Sequence, residues 1–170
     1  AITEIKPVSS LALNKYNILS NTIKYTDNNL NFKEITESYF LNLYIDTLND
    51  KSIFEDAMHK LNFLDASQYS DEQKYNEAII KLASSVKILS PLIPKEKEGN
   101  LEISYHSINF IHDDVEKWKS VLIYVDELAS KLVKKKIKEE NINTLVFLKN
   151  ERKYQLEDIS IKINNHLIDY

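Results

Sequence analysis

The sequence predicts an all-α protein, an elongated bundle of four to six helices around one long helix at about 101–138. Three observations carry that expectation. Ile108, Ile111, Val115, Trp118, Leu122, Val125, Ala129 and Leu132 recur at alternating steps of three and four. Such spacing keeps one apolar stripe on a single helix face, turned toward a partner helix. A second stripe, Tyr75, Ile79, Leu82, Val86 and Leu89, follows Ser70 and Gln73, which stand three apart as in a capping box. Glycine occurs once, at Gly99, whereas tight hairpins and phosphate-binding loops need glycine where φ is positive or a ligand approaches the backbone. At 170 residues the chain fits a single helical domain, 1–170, with residues 1–8 as an extended N-terminal tail.

The elements follow in order. Ser9 or Ser10 caps a first helix with the inward stripe Ala12, Tyr16, Leu19 and Ile23, ending near the polar stretch 26–29. Phe32, Ile35, Tyr39, Leu43 and Leu48 mark a second helical segment. Asn49, Asp50 and Lys51 break the chain before a third apolar cluster, Ile53, Phe54, Ala57, Met58 and Leu61. A polar loop at 65–69 leads to the helix opened by Ser70, which Pro91 and Pro94 stop. Residues 95–99 form the exposed connection to the long helix, and the capped helix is its expected antiparallel neighbour. Lys134, Lys135, Lys136 and Lys138 stand where that helix is expected to end, complementing the negative end of its dipole. After a polar interruption at 139–143, Ile142, Leu145, Leu156, Ile159, Ile163 and Leu167 suit a further helix. Ile159, Ile161 and Ile163 also alternate as in a strand, so a small β-hairpin near 144–163 is the alternative.

Composition narrows function by exclusion. A hydrophobic fraction of 43% with 28% charged residues is that of a folded globular chain. With no cysteine, disulfides, thiolate nucleophiles and cysteine-bearing zinc sites are excluded. A net charge of −4 and a pI near 5.6 argue against a nucleic-acid binder, which needs a basic face. The longest apolar runs, such as Val121–Val125 and Leu145–Leu148, are far shorter than a membrane span. Ile, Lys, Asn and Tyr are abundant and Arg152 is the only arginine, a bias typical of AT-rich coding. That bias accounts for the ten tyrosines without an aromatic binding surface. The start at Ala1 fits a trimmed chain or the mature end of a processed exported protein.

No reactive motif stands out. His112, Asp113, Asp114 and Glu116 form the densest titratable group, and on one helix His112 and Glu116 would face the same way across a turn. His112, Asp113 and Glu116 are therefore the metal-ligand candidates, against the simpler reading of a solvated helix face. Asp56 and His59 have the spacing of one half of a di-metal carboxylate motif, but a second such motif is missing and Asp stands in the place of Glu. Serines lack the glycine elbow of hydrolase nucleophiles, and Glu139 with Glu140 lies outside any predicted cleft. Trp118 sits in mid-seam, where core packing outweighs a role as an interface anchor. The loops at 65–70, 97–100 and 139–143 are where specific contacts could sit.

The expected function is a non-enzymatic helical binding module with another protein as partner and no cofactor, in an exported bacterial protein. A periplasmic or surface binding protein or an immunity-type inhibitor fits, with the cytoplasm as the alternative compartment. Two other readings stand beside it: a metal-binding bundle or enzyme using His112, Asp113 and Glu116, and a self-associating structural protein. The sequence leaves the oligomeric state open.

Overall fold

The computed structural model describes residues 2–26, 34–91 and 105–168. The fold is mainly helical: α1 (Ser10–Thr26), α2 (Glu37–Asn49), α3 (Ser52–Lys60), α4 (Glu72–Ser85) and the long α5 (Val115–Ile168). A short 3-10 turn spans Ala66–Gln68. The strands β1 (Ile2–Ile5), β2 (Lys87–Leu89) and β3 (His106–Asn109) form one small antiparallel sheet in the order β1-β3-β2. Two compact units are present, 1–133 and 134–170. The first holds all the elements up to the early turns of α5; the second is the remainder of α5.

Local chemistry explains the helix boundaries. Thr36 caps α2, its hydroxyl accepting from the Tyr39 N–H at 3.1 Å. Asp50 accepts from the Ser52 N–H at 3.1 Å and makes the break between α2 and α3 at the expected place. At the end of α3, Asn62 takes a left-handed φ of 47°. Its N–H donates to the His59 carbonyl while the Phe63 N–H reaches back to Met58 at 2.9 Å. This pairing closes a helix on a left-handed residue, and in a chain so poor in glycine an asparagine fills the position.

Several sequence expectations are corrected. The cap of α4 is Asp71, not Ser70: Asp71 Oδ1 accepts from the Lys74 N–H at 2.8 Å, and Ser70 Oγ donates to Asp71 Oδ2. Gln73 donates instead to Glu77, one turn on. The Lys74 N–H, then the Ser70 hydroxyl, hold the Asp71 carboxyl below its ordinary range. A depressed carboxyl contributes stability above its unfolded pKa, about 3.9, and loses it as the pH falls through the folded value. Asp71→Ala is therefore expected to lower the thermal midpoint at neutral pH, with a smaller deficit in strong acid. Melting curves at the two pH values check this, and an equal deficit at both would count against the cap.

The expected N-terminal tail is in part a strand. β1 pairs with β3 from Ile2↔Asn109 to Ile5↔His106, and β2 pairs with the other edge of β3 from Lys87↔Asn109 to Leu89↔Ser107. Because the chain leaves α4 at Val86 and enters β2, α4 does not continue to 90 and does not form a helical hairpin with the long helix. It packs on α3. Ile108 lies in β3 and Ile111 is 89% exposed, so the first two members of the predicted seam are off the helix. Val115 opens α5, whose buried side chains in the first unit are Trp118, Val121, Val125, Ala129 and Val133, a step of three and then fours. That drift departs from a heptad seam because α5 is covered there by short elements rather than by one parallel-running helix. Pro94, the connection at 95–99 and the start at Leu101 lie outside the described residues, as do Phe32 and the stretch 27–29.

The core of the first unit joins α3 (Ile53, Phe54, Ala57, Met58), α4 (Ile79, Ala83), Ile108 and Phe110 with the inward face of α5. Among the described side chains of α1, Leu13 and Asn17 are the buried ones, with Tyr16 half-buried and Ala12 exposed, while the side chains of Leu19 and Ile23 lie outside the description. Asn17 Nδ2 donates to the Ile35 carbonyl at 2.9 Å, and the Ile35 N–H donates to Asn17 Oδ1 at 2.8 Å.

In the second unit α5 runs on through 139–143 and 144–163, which replaces both the predicted interruption and the alternative hairpin with helix. No glycine or proline stands between 115 and 168. The Lys134–Lys138 run lies well inside the helix, where Lys135 meets Glu139 at 3.8 Å rather than a helix end. Similar exposed pairs, Lys153 with Glu157 and Lys162 with Asp158, recur further on. Each such pair supports a helix by about 0.2–0.5 kcal/mol.

Candidate functional site

The titratable group singled out in the sequence is scattered by the fold. His112 and Asp113 precede α5, so the expected one-turn relation between His112 and Glu116 does not form. The His112 ring lies 4.6 Å from Phe63 and stacks on Phe110 at 5.7 Å, half-buried in an aromatic corner. Its Nδ1 accepts the Asp114 N–H at 3.0 Å, and Asp114 Oδ1 in turn accepts the Lys117 N–H at 2.9 Å. These bonds turn the chain into α5. Asp113 and Glu116 are exposed.

The other histidines are equally dispersed. His59 on α3 meets the Tyr75 ring edge-on at 5.5 Å while Asp56 is exposed; His106 is in β3; His166 is exposed in the last turn of α5. Among the described residues no group of three or more His, Asp or Glu side chains is placed to hold a metal. Of the three candidate contact loops, 65–70 is held by Asp65, which accepts from the Ser67 N–H and hydroxyl. Residues 139–143 are helix, and 97–100 lie outside the described residues.

The most unusual surface is in the second unit. Phe147 is 66% exposed, Leu156 68%, Ile159 51% and Ile163 54%, with Ile142, Leu145 and Val146 also exposed. Ile142, Leu145, Leu156, Ile159 and Ile163 fall at heptad positions, and Lys149 and Arg152 occupy the two positions between. A helix in water normally turns such a stripe onto a core. Large exposed apolar patches rimmed by polar groups mark interaction surfaces. Sequence periodicity did register these apolar residues as a helix, but nothing local told that they stay uncovered.

A second feature that the sequence does not announce joins α2 and α5. Tyr44 Oη donates to Asp126 Oδ1 at 2.6 Å. Burial first, then this bond and the adjacent negative charge, push the phenol well above its ordinary range, so it remains a proton donor. The partners are far apart in the chain, and no local spacing links them.

No protein-family model matches the chain, and no significant relative is found among curated proteins. Among the described residues no helix is long and apolar enough to cross a membrane.

Proposed function

We propose that the protein is a non-enzymatic helical module that acts by binding another protein, with the helix of the second unit as the contact surface. One observation carries this: the apolar stripe Ile142, Leu145, Leu156, Ile159 and Ile163 is exposed along a continuous helix. Burying such side chains contributes about 1.5–3 kcal/mol each. Lys149 and Arg152 in mid-stripe bear on the partner's identity. In a parallel pair of identical copies each would meet its own like charge, whereas a foreign helix with acidic residues at those positions would set opposite charges against them. The partner in this reading is an amphipathic helix with acidic residues opposite 149 and 152. The compartment belongs to the same proposal: an exported bacterial protein, in the periplasm or at the cell surface.

The test is site-specific photocrosslinking in the source cells, with a benzophenone side chain at position 156 or 159. A crosslinked adduct containing a second, different polypeptide is expected, and its yield should fall when Lys149 and Arg152 are both changed to Glu. Adducts made only of two copies of this chain would replace the reading with self-association. No adduct at either position would remove it. Separating the cells into cytoplasmic and extracytoplasmic fractions checks the compartment.

A further inference from the structure

A cavity of about 410 Å³ lies within the first unit, beside β1. Thr3, Glu4 and Ile5 line it in succession, followed by Lys6, Pro7 and Val8. Side chains alternate across a strand, so a cavity on one face of β1 would meet only every second residue. Three in a row mean that the cavity meets the backbone of β1 as well as its side chains, and Ile108, the partner of Thr3 in β3, lines it too. The other edge of β1 is free of strand partners among the described residues, since β1 lies at the border of the sheet and pairs with β3 alone. An uncovered edge presents a row of N–H and C=O groups to any extended chain.

The remaining walls set the chemistry. Phe40, Ile108 and Leu122 supply an apolar floor, while Glu4, Asp126 and Glu127 stand around it against a single cation, Lys6. Tyr44 holds the Asp126 carboxylate in place through its 2.6 Å bond. The excess of carboxylates disfavours an acidic partner or a nucleic acid and matches a basic one.

We propose that this groove receives an extended segment of a partner polypeptide, added as a strand to the free edge of β1, with basic side chains alternating with apolar ones. Main-chain hydrogen bonds along Ile2–Ile5 supply sequence-independent affinity, and the side chains supply selection. Apolar residues of the segment descend onto Phe40, Ile108 and Leu122, and basic ones meet Asp126 and Glu127. Pro7, which has no N–H, ends the strand ladder after β1 and limits the pairing to about four residues, roughly 13 Å. This site is separate from the helical surface of the second unit, and neither proposal requires the other.

The test pans a library of short randomised peptides against the full chain, with the double variant Asp126→Asn, Glu127→Gln as the counter-selection. Enriched peptides should alternate Lys or Arg with apolar residues. They should bind the double variant about tenfold more weakly, the loss expected when charge-assisted hydrogen bonds become neutral. Binding should shift the amide resonances of residues 2–6, and N-methylating alternate peptide bonds of the ligand should abolish it. Asn at 126 keeps the acceptor for Tyr44, and an unchanged melting midpoint confirms that the variant is folded. Any of four results overturns the proposal: no enriched sequence, enrichment of acidic peptides, equal binding to the double variant, or amide shifts confined to other elements. Shifts at residues 2–6 that grow with the concentration of the chain alone would assign the groove to a second copy and overturn it equally.

Discussion

Replacing Trp118 with alanine is expected to destabilise the first unit by about 3–5 kcal/mol, the range for truncating a large buried aromatic whose cavity only partly refills. The Trp118 side chain is 2% exposed. Its ring lies 4.2 Å from Phe110 and is stacked over Phe54 at 6.2 Å. The loss therefore falls at once on α5, on α3 and on the segment that leaves β3. Domains of this size are stable by about 5–15 kcal/mol, so the substitution removes a large share of the total. Trp118→Phe is the informative contrast. The indole Nε1 is buried with no acceptor among the described residues. An unpartnered buried N–H carries a desolvation cost of about 1–3 kcal/mol, which phenylalanine removes while keeping an aromatic ring. The expected loss for Trp118→Phe is under about 1.5 kcal/mol. Urea unfolding followed by far-ultraviolet dichroism measures both variants, and equal losses would show that the indole is held by more than packing.

The fold was legible in the sequence wherever a local signal decided it. The break at 49–51 and the cluster Ile53, Phe54, Ala57 and Met58 emerge in α3 as read, because a short polar run and a helical stripe both act within a few residues. The strands were not legible. Each is three or four residues long, too short for alternation to stand out, and β1 finds its partner only across most of the chain. Ile108 joined the seam by coincidence of spacing, since it is buried equally well in a strand. The end of the long helix was misplaced for a different reason. Asn141 and Asn143 are poor helix formers, but Lys135 with Glu139 and the uninterrupted run without glycine or proline outweigh them.

For the candidate surfaces the limits were of the same kind. Apolar spacing marked Leu145, Leu156, Ile159 and Ile163 as helical, but periodicity reports which side chains share a face and not whether anything covers that face. His112 shows the converse: its acidic neighbours suggested a ligand set, and the fold uses its Nδ1 to accept a backbone N–H and its ring to pack on Phe63 and Phe110. The groove beside β1 is assembled from four separate segments of the chain, and no window of sequence contains it.

Removing the side chain of Asn17 is the other substitution with a large expected effect. This asparagine is 8% exposed and clamps both polar groups of the Ile35 backbone, at 2.8 and 2.9 Å. It does for the segment before α2 what a neighbouring strand would do, which is why a search for apolar stripes on α1 overlooks it. Asn17→Ala leaves a buried N–H and a buried carbonyl without this partner, at about 1–3 kcal/mol apiece, so a loss of about 2–6 kcal/mol is expected. Asn17→Leu separates hydrogen bonding from packing. Leucine refills the volume but offers neither donor nor acceptor, so it should be as damaging as alanine; recovery of stability would mean that Asn17 acts by shape. Hydrogen exchange at the Ile35 amide gives a second readout and should quicken in both variants before global unfolding. The consequence reaches beyond Ile35, because Thr36 caps α2 at the very next residue. Freeing Ile35 loosens that cap, and with it the start of the helix whose Phe40 packs on Tyr16 at 6.1 Å.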